Sequence, residues 1–196
     1  MRKLARLAVM VFVAATTAPP AMSAPVQWTI ASGGNGHWYE YVSTPSYWSN
    51  ARAAALGSTW MGMSGYLVTL TSAAENAFMS GLPGLDTAGY AWTGGSDAAV
   101  EGEWRWMDGS EAGQLFSYSN WGPGEPNNAG GSENYAHLQP GAGSLGWNDL
   151  RNDAFLGYVV EYSSVPTPGS LALTLLALGG LGMTVKASRR TTLSSG

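Results

Sequence analysis

The sequence predicts one α+β domain placed between two terminal segments of different character. Three observations favour this fold class. Two stretches have the 3.6-residue period of amphipathic helices, several short stretches alternate with the two-residue period of strands, and a glycine- and asparagine-rich segment fits neither period. The domain occupies about residues 25–163, which is long enough to bury a hydrophobic core.

The predicted strands are short and lie towards both ends of the domain. Residues 26–30 and 39–45, "VQWTI" and "YEYVSTP", alternate large and small residues as half-buried strands do. Residues 66–70 form a short apolar run, and "FLGYVVEY" predicts a final strand. Between them, "YAWTGGSD" and "GEWRWMDGS" predict strands joined by turns, whose tryptophans we expect in the core.

Two helices are predicted from period and capping residues. In "SYWSNARAAALG", Ser46 is placed to cap the first helix and Gly57 to end it. The face of this helix that we expect to be buried contains Trp48, Ala51, Ala54 and Ala55. In the second helix, Ser72 and Glu75 have the spacing of a capping box, and the helix is expected to end near Gly81.

The N-terminus has the features of a secretory signal peptide. Basic residues at positions 2, 3 and 6 precede an apolar run over residues 7–15, and small residues follow up to Ala24. The apolar run is too short to span a bilayer, which requires about 20 residues. We therefore predict a signal peptide over residues 1–24 and export of the mature protein.

The C-terminal segment, residues 164–196, predicts a membrane helix followed by a basic tail. Residues 169–185 are uncharged and rich in Leu, Gly and Ala, and a lysine and arginines follow, so the basic end should lie inside. "VPTPGSLALTLLALGGLGMTVKASRR" resembles the bacterial PEP-CTERM sorting signal, although Thr167 replaces the usual Glu. The resemblance implies inner-membrane anchoring and release to the cell surface or matrix by an exosortase; the alternative is a permanent anchor.

The composition of the domain excludes several function classes. Residues 25–163 contain three arginines against thirteen carboxylates, a formal net charge of −10, which argues against nucleic acid as a partner. The chain has no cysteine, so a bound metal is the natural candidate for holding its loops. The sequence contains no nucleophile elbow, and Glu101 and Glu103 are best interpreted as a solvated strand face, so we do not expect an enzyme.

One long segment, which includes "GPGEPNNAGGSENYAHL", has little regular periodicity although it lies inside a compact domain. Such segments are uncommon and usually functional. Ca²⁺ takes six to eight oxygen ligands, and carboxylates and amides are dense here. The candidate ligands are Glu125, Asn127, Glu133, Asn148 and Asp149. A cis bond before Pro126 would turn Glu125 and Asn127 towards the same point; the alternative is that these residues only form turns.

The two histidines, His37 and His137, are far apart and have no cysteine nearby, which argues against zinc. His137 alternates with Ala136 and Leu138 in a predicted strand, and we expect it to face outward.

Several separated motifs resemble the C-type lectin-like domains, and the resemblance covers nearly all of residues 26–162. "AWTGGSD" is similar to the Trp-Ile-Gly-Leu core segment of that family, "EWRWMDG" to its Trp-x-Trp element, "EPN" to its sugar motif and "WND" to its last calcium motif. The resemblance implies a double-loop fold with two helices, short antiparallel strands and one Ca²⁺ in the long loop. The implied calcium ligands are Glu125, Asn127, Glu133, Asn148 and Asp149.

The resemblance also implies a ligand. Two vicinal hydroxyls of a sugar would complete the coordination of the ion and bind to Glu125, Asn127, Glu133 and Asn148. The order Glu-Pro-Asn is associated with mannose-, glucose- and fucose-type units. We expect only one ion, because Asn128 and Asn134 stand where an auxiliary site favours acids. The leading hypothesis is calcium-dependent carbohydrate binding, and the second is a structural or protein-interaction domain that calcium merely orders.

Overall fold

A computed structural model describes residues 24–141 and 145–163. Its α-helices and strands, in chain order, are β1 (Val26–Gln27), β2 (Trp38–Ser46), α1 (Trp48–Leu56), β3 (Thr59–Trp60), β4 (Met63–Leu67), α2 (Ala73–Met79), α3 (Leu85–Ala88), β5 (Ala91–Ser96), β6 (Arg105–Trp106), β7 (Tyr135–Gln139), β8 (Gly146–Leu150) and β9 (Leu156–Tyr162). This is the predicted α+β double-loop domain. The predicted signal peptide, up to residue 23, and the predicted C-terminal segment lie outside the described residues. Within the described ranges, no helix has the length and apolar character needed to cross a bilayer.

The final strand, β9, organises the sheet. It pairs antiparallel with β2 and β4, and one register position, Trp92 opposite Tyr158, joins it in parallel to β5. On the other side of β5 lie β7 and then β8, both antiparallel to their neighbours. Because β9 is internal and covered on both faces, its sequence is an almost continuous apolar run.

Two hydrophobic clusters occupy the two faces of this sheet. Val159 of β9 belongs to one cluster together with Trp106 and Trp147, whereas Tyr158 and Val160 belong to the other. This division follows from the alternation of side chains along a strand. The tryptophans that we expected in the core are all buried: Trp92, Trp104 and Trp106.

The first helix differs from the prediction at its N-terminus. Ser46 is the last residue of β2, and the helix is preceded by Tyr47, whose side chain makes no capping bond. A distant residue supplies the cap, because Asn152 Oδ1 accepts a hydrogen bond from the Ser49 N–H at 2.9 Å. Ala54 is exposed rather than buried, while the other three residues of the predicted face are buried. Gly57 ends the helix as predicted.

The second helix begins as predicted, since Ser72 Oγ accepts a hydrogen bond from the Glu75 N–H at 3.2 Å. The ends of two strands and one short helix differ from the prediction. The strand predicted over residues 66–70 is β4, which ends at Leu67, and the first strand ends at Gln27. The single-turn helix α3 was not predicted, because four residues are too few to show a helical period.

Candidate functional site in the long loop

The long loop is fixed at its base to strand β8. Trp147, in β8, donates its backbone N–H to the Asn120 carbonyl and accepts from the Gly122 N–H at its own carbonyl, both at 2.8 Å. The Trp147 side chain is buried, and the rings of Phe116 and Trp121 pack edge-on against it. This aromatic base supports the loop in a chain without disulfides.

Asp149 connects β8 to the Glu-Pro-Asn segment. Its side chain is buried, and its two carboxylate oxygens accept hydrogen bonds from the backbone N–H groups of Asn127 at 3.1 Å and Asn128 at 2.7 Å. The peptide bond between Glu125 and Pro126 is cis, as hypothesised from the sequence. Strand β8 therefore places Asn148 and Asp149 beside the segment that contains Glu125 and Asn127.

A tight turn brings Glu133 to the same region. The Asn128 side-chain oxygen accepts from the Glu133 N–H at 3.0 Å, and Glu133 Oε2 accepts from the Ala129 N–H at 2.9 Å. These two bonds close the turn between the Glu-Pro-Asn segment and Glu133, so the turn has little freedom to reorient. The structure thus gathers the five predicted residues at one end of the sheet.

Two oxygens at this place are buried without a hydrogen-bond partner among the described residues. They are Glu125 Oε2 and Asn148 Oδ1. A buried acceptor without a donor costs about 1–3 kcal/mol, so native proteins rarely leave one unsatisfied. One carboxylate and one amide oxygen, both without donors, form the type of ligand set that Ca²⁺ prefers.

The electrostatics of Glu125 also fit a cation. Its pKa is raised, first because burial disfavours the charged form and then because the charges of Asp149 and Glu133 repel it. A divalent ion would offset this repulsion. Within the part of the chain that the structure describes, no three His, Cys, Asp or Glu side chains form a metal site by themselves. A cation bound here would therefore also need amide or backbone oxygens, and Asn127 and Asn148 are the predicted amide ligands.

The prediction that His137 faces outward is wrong. His137 is 2 % exposed and lies opposite Asn148 in the sheet, between the rings of Tyr90 and Trp92. Burial lowers its pKa to about 4, so the imidazole is neutral at pH 7. The outward expectation failed because β7 is an internal strand between β5 and β8, and an internal strand can be covered on both faces.

A second group of carboxylates, which sequence reasoning missed, lies in the core. Glu161 of β9 contacts His37 Nδ1 at 2.6 Å and accepts from the Thr69 N–H and hydroxyl, both at 2.9 Å. Glu75 of α2 accepts from Tyr39 OH at 2.6 Å, and its remaining donors are Asn35 and the N–H and hydroxyl of Thr71. All four oxygens of this core pair are satisfied.

Comparisons with known proteins agree with this architecture. A sequence profile of the family described as "Lectin C-type domain" matches residues 46–159. Perlucin from Haliotis laevigata is 32% identical over 111 residues, which cover 56% of this chain and 69% of perlucin. Halomucin from Haloquadratum walsbyi is 36% identical over 146 residues, which cover 70% of this chain and only 2% of halomucin.

A solved structure gives the same result. The C-type carbohydrate-recognition domain of cow CD23, crystallised in the presence of a GlcNAc2Man3 oligosaccharide, is 30% identical with a TM-score of 0.55, over 76% of this chain and 98% of that one. The profile match covers more than half of the sequence, and the fold agrees with it. The chain therefore belongs to the C-type lectin domain family, whose members are generally carbohydrate-binding proteins rather than enzymes.

Proposed function

We propose that this domain binds carbohydrate in a calcium-dependent manner and that its ligands are mannose-, glucose- or fucose-type units. The observation that carries the proposal is the pair of buried oxygens without donors, Glu125 Oε2 and Asn148 Oδ1, on the loop that contains the Glu-Pro-Asn motif. Both atoms are acceptors, and a cation satisfies acceptors where another acceptor cannot.

The five residues divide into two roles in this proposal. Glu125, Asn127, Glu133 and Asn148 would hold the ion and hydrogen-bond the sugar, the carboxylates as acceptors and the amides as donors. Asp149 adds charge near the ion, and its bonds to the Asn127 and Asn128 N–H groups keep the loop in place. The bound Ca²⁺ would supply positive charge that attracts two neighbouring hydroxyls of one sugar ring.

The mannose-type preference rests on the order of Glu125 and Asn127 around Pro126. This order places an acceptor before a donor along the loop, and the reverse order would exchange them. The CD23 domain, crystallised in the presence of a mannose-containing oligosaccharide, supports the choice of sugar class through likeness alone.

We further propose that the protein acts outside the cytoplasm, on polysaccharide of its own cell or of a neighbour. This rests on the predicted signal peptide over residues 1–24 and on the predicted membrane helix and basic tail within residues 164–196. An exosortase-type enzyme would be the processing partner, and the helix would hold the protein in the inner membrane until cleavage. Mass spectrometry of exported material should detect chains that lack residues 1–24.

A second candidate function is a calcium-ordered structural or protein-interaction domain. The observation that favours it is the number of hydrogen bonds within the loop and between the loop and β8. Asp149, Asn128 and Glu133 take part in these bonds, so the loop is already ordered by the protein's own side chains. In this alternative the ion would complete a scaffold and no sugar would be bound.

A glycan array with the wild-type protein, in calcium and in chelator, separates the two functions. We expect mannose-type glycans to be retained only in calcium. The double variant Glu125→Gln, Asn127→Asp keeps the number of oxygen ligands and the net charge while it exchanges donor and acceptor, so the preference should move towards galactose-type hydroxyl geometry. A wild-type protein that binds calcium and retains no glycan would support the scaffold instead.

A further inference from the structure

We propose that a cleft beside Glu133 holds a second, neutral saccharide unit, so that the preferred ligand is a neutral oligosaccharide of at least two units. This proposal rests on the proposed function, because the first unit is the one held at Glu125 and Asn148. The cleft has a volume of about 420 Å³, which is in the range of small-molecule sites. Its lining residues are Ala129, Glu133, Leu150, Arg151, Asp153 and Ala154.

The position of the cleft follows from the chain itself. Glu133 is a wall of the cleft and also one of the predicted calcium ligands. Ala129, on the opposite side of the tight turn, donates its N–H to Glu133 Oε2 at 2.9 Å, and Leu150 directly follows Asp149 at the end of β8. Glu133 is therefore common to the cleft and to the proposed ion site, and a second unit linked to the first on the Glu133 side would lie next to the cleft.

The chemistry of the cleft suits a hydroxyl-rich ring. Arg151 Nη2 donates to Asp153 Oδ2 at 3.0 Å, and the two side chains are 58% and 64% exposed. A guanidinium has five N–H donors, and among the described residues Asp153 is the only acceptor that Arg151 contacts. Arg151 thus has N–H groups, and Asp153 has acceptor sites, that can form hydrogen bonds with the hydroxyls of a sugar. Ala129, Leu150 and Ala154 supply apolar surface for the C–H face of a pyranose.

The turn that contains Arg151 and Asp153 is held in place by hydrogen bonds within the protein before any ligand binds. Asn152, between them, accepts from the Ser49 N–H at the start of α1 at 2.9 Å, and the Ala154 N–H donates to the Arg151 carbonyl at 3.3 Å. The ring of Phe155 lies 4.3 Å from that of Tyr47. A preordered turn loses less conformational entropy when a ligand binds, so the cleft is suited to recognition.

The charge of the region selects against acidic units. Glu133, Asp153 and one guanidinium, which Asp153 already pairs, line the cleft, and the formal net charge of −10 on the whole domain would still be −8 with one Ca²⁺ bound. A uronic acid carboxylate would meet this repulsion, whereas a neutral hexose would not. We therefore assign the second position to a neutral sugar such as mannose or glucose.

The test is a calorimetric titration in calcium with methyl α-mannoside, α-linked mannobioses and a dimer of mannuronic acid. Arg151→Ala is compared with Arg105→Ala, because Arg105 forms a similar exposed pair with Glu103 two residues away, at 2.7 Å, and does not line the cleft. We expect wild type and Arg105→Ala to bind the best mannobiose about fivefold to tenfold more tightly than the monosaccharide. Arg151→Ala should lose this gain and keep the monosaccharide affinity, and the acidic dimer should show no gain.

Three results would overturn the proposal. Equal affinity of the wild type for the monosaccharide and every mannobiose would mean that no second unit is held. A loss of affinity in Arg151→Ala that is equal for both sugars would place Arg151 at the first site. Tighter binding of the mannuronic acid dimer than of the mannobioses would show that the second unit is not a neutral sugar. In these three cases the proposed function stands, whereas a wild type that binds no saccharide in calcium overturns both.

Discussion

Two groups of carboxylates in this domain have opposite hydrogen-bonding states. In the core pair, Glu75 and Glu161, each of the four oxygens accepts from a protein donor. In the long loop, Glu125 Oε2 has no partner among the described residues, and Asn148 Oδ1, on strand β8, has none there either. In these two groups, whether the oxygens have donors, rather than the number of acids, distinguishes the structural carboxylates from the carboxylates that we assign to an ion.

The two groups of carboxylates also differ in how far they are buried. Glu75 and Glu161 are 2% and 1% exposed, so they are isolated from solvent and from ligands. Glu125 and Glu133 are only partly buried, in a loop at the surface of the domain. The core pair therefore contributes to folding, and the proposed binding role belongs to the loop group.

The largest expected effect is a difference in the free energy of unfolding between two variants, each lacking one acid of one group, measured in the presence of chelator. Glu161→Ala leaves the Thr69 N–H and His37 without their acceptor, whereas the Thr69 hydroxyl keeps Glu111 as an acceptor. We expect the free energy of unfolding to fall by about 3 kcal/mol. Glu125→Ala removes an unsatisfied group that is repelled by Asp149 and Glu133, so the loss should be close to zero. Urea denaturation measures both. Equal losses would contradict the comparison.

The next effect concerns the pH dependence of folding stability, to which the buried His137 of β7 contributes. The folded pKa of His137 is about 4, below the value of 6.5 for a free histidine, so folding favours the neutral ring. Its contribution to stability is complete above pH 6.5 and is lost as the pH falls towards 4, by about 3 kcal/mol in total. His137→Gln should flatten the fall in stability between pH 6.5 and 4. If the pH profile of this variant equals that of the wild type, His137 is not the group that causes the loss of stability.

A smaller effect of opposite sign is expected at the core pair. Burial lowers the pKa of His37, but its hydrogen bond to Glu161 and the charges of Glu161, Glu75 and Glu111 outweigh burial, and the net pKa is raised. Its contribution is present below pH 6.5 and is lost as the pH rises through the folded pKa. His37→Gln should therefore lower the melting temperature more at pH 6 than at pH 8. Direct titration of His37 by NMR, with Glu161→Gln as control, should show a lower pKa in the control.

The sequence alone predicted features that depend on local pattern. The period of α1, the capping box at Ser72 and the final strand are present in the structure, and so is the cis bond before Pro126, which the sequence raised only as a hypothesis. Each of these requires only a few neighbouring residues, so no knowledge of distant contacts was needed. The Glu-Pro-Asn and Trp-Asn-Asp motifs, matched to the lectin family, lie together in the structure through the bonds from the Asn127 and Asn128 N–H groups to Asp149, and their role as ligands stays a prediction.

Features that depend on distant contacts could not be predicted in this way. The cap of α1 comes from Asn152, which is 103 residues from its partner Ser49, whereas the local candidate Ser46 completes a strand. The burial of His137 depends on which strands flank β7. The core pair joins α2 to β9, and only the folded chain brings Glu75 near Glu161. The cleft beside Glu133 likewise appears only when the turn after β8 is in place.

The most direct test of the central claim is a calorimetric titration of calcium into the wild type, Glu125→Ala and Glu161→Gln. If the oxygens without donors form the ion site, the wild type and Glu161→Gln bind one ion per chain, and Glu125→Ala binds none under the same conditions. At free calcium 100 times the dissociation constant, the wild type should also gain about 2.7 kcal/mol of stability by mass action. Calcium binding that survives Glu125→Ala and disappears in Glu161→Gln would contradict the account.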